Sequence, residues 1–252
     1  MAPDPTAFWD REATAPSTPP EANWMAHPLV RHYIDESISG NPGLWPMEWF
    51  QRHLAGRTFR RALSIGCGTG PLERDLLRRG IVARIDAFDG SPKSIEIARA
   101  EAVAAGLDDR VEYSVDDFNT VELPRAKYDL VCFQQSLHHV EKLERLLLQV
   151  RRCLAPDGLV YFDEYVGPSR THWNALTTRW YRVLYHLLPR GIRYFDEFQE
   201  PVQHEDPSEA IRSGDILSRI FIGFDVDEFR GYGGNLLAML FPVLSLPAAY
   251  AM

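Results

Sequence analysis

Three glycines at alternate positions, Gly66, Gly68 and Gly70, are the residues whose spacing first suggests chemistry. Glycine takes backbone conformations that side chains forbid, and it lets the backbone come close to a ligand. An apolar stretch, 62–65, precedes them. Leu72, Leu76 and Leu77 follow at helical spacing with charges between. Strand, glycine turn and helix is the opening of a nucleotide-binding α/β unit. A dinucleotide fingerprint, G-x-G-x-x-G, packs its third glycine beneath a pyrophosphate. Here the third glycine comes one residue early and Pro71 stands in its place, so the loop suits a ligand without a pyrophosphate. Two acids extend the pattern. Asp89 closes the stretch 83–89, where a carboxylate can accept from both hydroxyls of a ribose. Asp116 follows 111–115, where one can accept from an adenine amino group with Phe118 against the base. Singly, each acid reads as a loop residue or a helix cap. Together, beyond a glycine turn, they face one crevice.

The elements that must hold these residues alternate along the chain. Strands are expected at 62–65, 83–89, 111–115, 128–133 and 159–162, with helices over 71–79, after Ser91-Pro92, and over 143–154. Ser91 is the N-cap of the second of these helices and Pro92 its first residue. The nearly unbroken apolar run 128–133 reads as a central strand. This alternation implies a parallel, doubly wound sheet. Before it, 1–20 is proline-rich and reads as a disordered arm. Residues 21–58 form two helices broken at Asn41-Pro42-Gly43. Four of the six tryptophans lie this early: Trp9, Trp24, Trp45 and Trp49. They read as packing of those helices on the sheet or as a lid over the ligand. After the core at 60–166 comes an insertion over 167–222, with helical patches near 173–188 and 208–222. Stretches 224–230 and 236–241 then read as strands of a terminal hairpin within 223–252. The whole of 21–252 is expected to be one domain.

The 252 residues carry 27 Lys and Arg against 35 Asp and Glu, a net charge of −8, with 45% hydrophobic residues. That balance excludes a phosphate-tracking face over the whole surface and argues against nucleic acid as partner. Cys67, Cys132 and Cys153 stand in or beside apolar runs without metal-ligand spacing. They read as reduced, buried thiols of a cytoplasmic protein, and no metal site is expected. The N-terminus has no apolar signal core, and Pro242 and Pro247 interrupt the apolar C-terminal run, so no membrane span is expected.

On residues 63–70, Asp89-Gly90-Ser91-Pro92, Asp116, Tyr128-Asp129-Leu130-Val131 leading to Leu137-His138-His139-Val140, and Leu154-Ala155-Pro156-Asp157-Gly158, the chain resembles the class I S-adenosylmethionine-dependent methyltransferases. The resemblance covers about 60–165. It implies a Rossmann-like, seven-stranded, mostly parallel sheet with an antiparallel last strand; the helices at 21–58, read from their own pattern, are expected to form a lid over it. It also implies S-adenosylmethionine as cofactor. Gly66, Gly68 and Gly70 would meet the cofactor's methionine end. Asp89, with Gly90 and Ser91 beside it, would hold the ribose. Asp116, Asp117 and Phe118 would take the adenine end, and Gln134 would sit by the sulfonium. One departure stands out. The family often has an acid two residues before the first glycine; here that residue is Ser64, so another acid would have to substitute or affinity would be modest.

Methyl transfer from a sulfonium needs alignment more than covalent help, but a hydroxyl acceptor also needs a base. His138, His139 and Glu164 follow the carboxyl ends of the fourth and fifth strands and are the candidates. Each histidine could equally cap the following helix. Tyr165, Arg170, His172 and Trp173 fall where substrate-facing insertions lie. After the fourth strand the chain reads Gln134-Gln135-Ser136-Leu137, without the Pro-Pro-aromatic signature of nucleobase methylation. The expected acceptor is therefore a small molecule, such as a natural product or a sugar. O-methylation is the first reading and N- or C-methylation the alternative. A nicotinamide oxidoreductase conflicts with Pro71, and a non-catalytic binding protein of the same fold conflicts with Asp89, Asp116 and the intact glycines. Oligomeric state is not legible.

Overall fold

The computed structural model describes residues 5–15, 25, 28–170, 175–199, 206–232, 240 and 244. The chain divides into two compact units, where the sequence suggests one domain over 21–252. The first contains 1–15, 54–170 and 204–226; the second contains 16–53, 171–203 and 227–252.

The first unit is built on a sheet. β1 (Phe59–Ile65) buries Ala62, Leu63, Ser64 and Ile65 in succession, because both of its faces are covered. Gly70 adopts φ +79° and Pro71 pre-sets the first turn, which starts α4 (Pro71–Arg78). β2 (Val82–Asp89) follows, then α5 (Pro92–Ala104), whose N-cap Ser91 accepts from the Ser94 amide as expected. β3 (Val111–Val115) and β4 (Tyr128–Gln134) come next. α6 (Leu143–Cys153) runs directly into β5 (Leu154–Asp163), so that Pro156-Asp157-Gly158 lies inside the strand. α6 buries Leu143, Leu146, Leu147, Val150 and Cys153 on the sheet, each leucine contributing about 2 kcal/mol.

The strand order is β3-β2-β1-β4-β5, and every pairing is parallel. Order reverses between β1 and β4, where Ile65 pairs with Phe133. The crevice outside the carboxyl ends of these two strands is the ligand position of a doubly wound sheet. Cys67, Cys132 and Cys153 are buried free thiols.

Three expectations are corrected. Residues 5–14 of the supposed arm form α1 (Pro5–Thr14), which packs on α5 and buries Phe8. Stretch 224–230 is not a strand. Phe224 packs its ring against Phe162 and the sheet core, while the acids after it stay exposed. The partner stretch 236–241 lies, Leu240 apart, outside the described residues, and with it the expected reversed last strand; among the described residues the sheet has five strands, all parallel. The insertion 167–222 is divided between the units: 206–223 belongs with the sheet and ends in α8 (Ile216–Gly223), whereas α7 (Ala175–Leu187) belongs to the second unit.

In the second unit α2 (Pro28–Ser39) and α3 (Pro46–His53) are the two expected helices. Val30, Ile34 and Ile38 pack with Trp49, while Tyr181, Tyr185 and Phe198 form a separate cluster. Trp49 packs between the helices of this unit. Trp45 is exposed beneath the Arg31 guanidinium, and Trp24 lies outside the described residues.

Candidate active site

The glycine loop leaves β1 under tight constraint. Gly66 has φ +70°, and a Cβ there would stand 2.5 Å from Ser136 Cβ, with the Phe118 ring at 3.5 Å. At Gly70, φ +79°, a Cβ would overlap the Tyr113 hydroxyl. Gly68 has φ +52° and open space around the same position. Asp89 pins the loop: Oδ2 accepts from the Gly68 amide at 2.9 Å and Oδ1 from the Ser91 amide at 2.8 Å. Burial raises the Asp89 pKa against these bonds. Beside it α1 brings Asp10, whose Oδ1 accepts from the Ser91 hydroxyl at 2.6 Å and the Lys93 amide at 3.0 Å. Those bonds hold the Asp10 carboxyl below its ordinary value.

Under the loop lies Glu73. It is completely buried, and neither carboxylate oxygen has a hydrogen-bond partner among the described residues. Burial pushes its pKa up to about 7, with the Ser64 hydroxyl drawing it down. The Tyr113 hydroxyl is likewise buried without a hydrogen bond, and burial raises its pKa.

Past the end of β4 the chain turns through Gln135, at φ +52°, into a single 3₁₀ turn, Leu137–His139. Ser136 Oγ donates to the Ile65 carbonyl at 2.7 Å, tying this turn to β1. Glu164, just beyond β5, organises the rest. Its Oε1 accepts from the Ser136 and Leu137 amides at 2.7 and 2.6 Å, and Oε2 lies 2.8 Å from His138 Nδ1. His139 Nδ1 lies 3.1 Å from Ser208 Oγ, which itself donates to Asp206 Oδ1 at 2.7 Å. In the neutral rings both networks place the imidazole proton on Nδ1 and leave each Nε2 with its lone pair. Glu209 Oε2 lies 3.9 Å from His138 Nε2 and 4.0 Å from His139 Nε2. Arg170 secures the loop that carries Glu209, donating to the Asp206 carbonyl at 2.7 Å and through its amide to the Ala210 carbonyl.

Burial disfavours charge on both histidines, yet they diverge. Glu164, then Glu209 and Asp206, raise His138 above its ordinary value in spite of burial. His139, buried beside His138, is pushed down to about 3. Burial raises Glu209. Trp9 of α1 meets the His139 ring edge-on at 5.0 Å between centroids, and Tyr165 meets His138 at 6.3 Å. Such a cluster can take a proton from a bound hydroxyl.

The structure brings most expected residues together. Gly90 lies beside the Asp116 backbone, the Asp116 amide donates to the Asp89 carbonyl, and Phe118 stands against Gly66. Asp116, Asp117 and Gln134 are exposed at the strand ends. Asp117 also caps its own loop by accepting from the Asn119 amide. His172 and Trp173 lie outside the described residues. The helical patch expected near 208–222 begins only at Ile216, as α8; before it the chain turns, with Asp206 Oδ1 accepting from the Ser208 amide. Arg212 is tied to Glu144 at 2.6 and 2.7 Å and to Asp215. Sequence reasoning missed Asp10, Glu73 and Glu209. For Glu73 the signal existed, since an acid stands among the leucines of a helix following a strand that lacks its usual acid.

Residues 63–162 match the sequence family described as a methyltransferase domain. Among curated proteins, the ubiquinone biosynthesis O-methyltransferase of Erwinia tasmaniensis is 24% identical over 156 residues, 62% of this chain and 62% of that one. Its namesake from Methylobacterium sp. is 29% identical over 191 residues, 76% of this chain and 71% of the other. The 27-O-demethylrifamycin SV methyltransferase of Amycolatopsis mediterranei is 31% identical over 107 residues, 42% of this chain and 39% of its own. This chain spans less than two-thirds of the length of the Erwinia and Amycolatopsis relatives. A solved protein of Bacillus halodurans C-125, described as a methyltransferase, shares the fold with a TM-score of 0.51 at 17% identity, over 70% of this chain and 68% of that one.

Proposed function

Because residues 63–162 match a methyltransferase domain, we propose that this chain is a class I S-adenosylmethionine-dependent methyltransferase and that it methylates a hydroxyl group of a small-molecule acceptor. S-adenosylmethionine is the cofactor of that domain, and the residues present fit it. What supports the fit is the open space at Gly68, the Asp89 carboxylate that spans the loop and the start of α5, and the Phe118 ring beside Gly66. On this reading Gly66, Gly68 and Gly70 hold the methionine end, and Asp89 with Gly90 and Ser91 the ribose. Asp116, Asp117 and Phe118 hold the adenine, and Gln134 stands by the sulfonium. When bound, the cofactor supplies a methyl carbon activated on sulfur, and the carbon–sulfur electron pair leaves with the sulfur.

The chain's own work is to orient the acceptor and accept its proton. The observation that carries this is the 2.8 Å contact between Glu164 Oε2 and His138 Nδ1, which leaves Nε2 as the proton-accepting atom. Glu164 is a positioning residue, since its two oxygens already serve two amides and an imidazole. Tyr165 and Arg170 are assigned to the acceptor's side of the cluster. Relatives named as O-methyltransferases favour oxygen as the methylated atom, and the rifamycin enzyme's name favours specialised metabolism. The acidic balance disfavours nucleic acid, and three free thiols suit the reducing cytoplasm.

Calorimetric titration with S-adenosylmethionine and S-adenosylhomocysteine, beside NADH and the Asp89→Ala protein, tests the cofactor. Micromolar binding that Asp89→Ala loses, with none of NADH, is the expected result. Methyl transfer to a panel of hydroxylated small molecules then tests the reaction. Folded protein that binds neither sulfur ligand would overturn the reading in favour of a non-catalytic binding protein.

A further inference from the structure

We propose that His138 Nε2, His139 Nε2 and Glu209 Oε2 form a binding site for a divalent transition-metal cation of the zinc type. The inference rests on the reading above in placing the acceptor's hydroxyl at this cluster; with the cation bound, His138 Nε2 is a ligand rather than the proton acceptor, the cation lowers the hydroxyl's pKa, and the released proton passes to the uncoordinated oxygen of the partly exposed Glu209 carboxylate.

Three observations carry it. First, one ligand atom from each of the three residues lies within 4.8 Å of the others, and Glu209 Oε2 stands 3.9 and 4.0 Å from the two Nε2 atoms. Neither distance is a hydrogen bond. A point inside that triangle lies at most about 2.5 Å from all three atoms, against about 2.0–2.2 Å for zinc bonded to nitrogen or carboxylate oxygen. A small turn of Glu209, the one partly exposed member, closes the difference. Second, both imidazoles are prepared as ligands. Glu164 holds Nδ1 of His138 and Ser208 holds Nδ1 of His139, so the lone pairs sit on the two Nε2 atoms. Partners of this kind on the far nitrogen orient metal-binding histidines and raise their basicity. Third, the surroundings are anionic. Asp206 is fully buried, and its Oδ2 lies 3.4 Å from His139 Nδ1 without a hydrogen bond. Glu164 stands on the other side with a side chain 2% exposed. Arg170 is the cation tied to this loop.

Two imidazoles and one carboxylate suit zinc, iron, cobalt or nickel rather than magnesium or calcium, which prefer oxygen throughout. Three protein ligands also leave coordination positions open for an acceptor oxygen, as catalytic rather than structural sites do.

The test uses the untagged full chain, stripped with chelator and without S-adenosylmethionine. Zinc chloride is titrated calorimetrically, bound metal is counted by mass spectrometry, and cobalt(II) is added to read the ligand set from its visible absorption. The expected result is one zinc per chain at micromolar affinity or better, cobalt bands of an imidazole site, and no comparable magnesium binding. Glu209→Gln and His139→Ala are expected to weaken zinc at least tenfold. Glu209→Gln, at a partly exposed position, keeps the test meaningful if His139→Ala fails to fold. Absence of stoichiometric zinc, or zinc binding unchanged in both variants, overturns the proposal. Because no methyl donor is present, this failure is separate from failure of the methyltransferase reading, which the S-adenosylmethionine titration decides alone.

Discussion

The Asp10 carboxylate accepts a hydrogen bond of 2.6 Å from the Ser91 hydroxyl, which itself accepts from the Ser94 amide. The N-terminal helix is thereby joined to the cap of α5, directly beside Asp89. Asp10→Ala removes the carboxylate that serves both the Ser91 hydroxyl and the Lys93 amide. We expect a loss of roughly 1 kcal/mol, the usual worth of a cap. Hydrogen exchange should rise in 5–15 and in the first turn of α5. If 5–15 exchange no faster in the variant, the bond does not hold α1 in place.

Glu73 makes stability fall with pH. Its carboxyl has a pKa of about 7 in the folded protein against an ordinary 4.5, because burial disfavours its charge. The folded state therefore holds a proton that the unfolded state releases. The advantage is complete below about 4.5 and is lost as pH rises to 7. The shift corresponds to about 3 kcal/mol. Glu73→Gln should melt higher than the parent at pH 8 and close to it at pH 4.5. Equal pH slopes in the two proteins would falsify the assignment.

The three glycines should separate under alanine substitution. Gly66→Ala and Gly70→Ala each combine a positive φ with a Cβ that would overlap Ser136 or Tyr113. Both should lose more than about 2 kcal/mol of stability. Gly68→Ala meets open space and should cost nearer 1 kcal/mol, while weakening S-adenosylmethionine binding at least tenfold, because the methyl group fills the cradle. Chemical denaturation and calorimetry on the three proteins check the order.

Glu164→Gln keeps the shape of the side chain but removes the charge facing His138. Turnover should fall on the order of 10–100-fold, with cofactor affinity nearly unchanged, since Glu164 touches the histidine turn and not the glycine loop. A variant that instead loses cofactor binding and turnover together would make Glu164 a structural residue only.

Much of this protein was determined by local sequence. The glycine spacing, Ser91-Pro92, and the alternation of short apolar runs with amphipathic stretches led to the parallel strands and their helices, because each signal acts over a few residues of backbone. The pairing of Asp89 with the glycine loop was legible for the same reason: parallel order puts successive strand ends along one edge. Other features had no local signature. Residues 5–14 look like an arm until α5 offers Phe8 a surface and Ser91 a partner for Asp10. Stretch 224–230 alternates like a strand, yet it forms none, and Phe224 instead packs edge-on against Phe162. Above all, which of several buried acids meets which histidine was decided in three dimensions. Glu164 and Glu209 reach His138 from distant parts of the chain, and only folding brings their charges within a few ångströms of a ring shielded from water, where such distances govern proton and cation affinity.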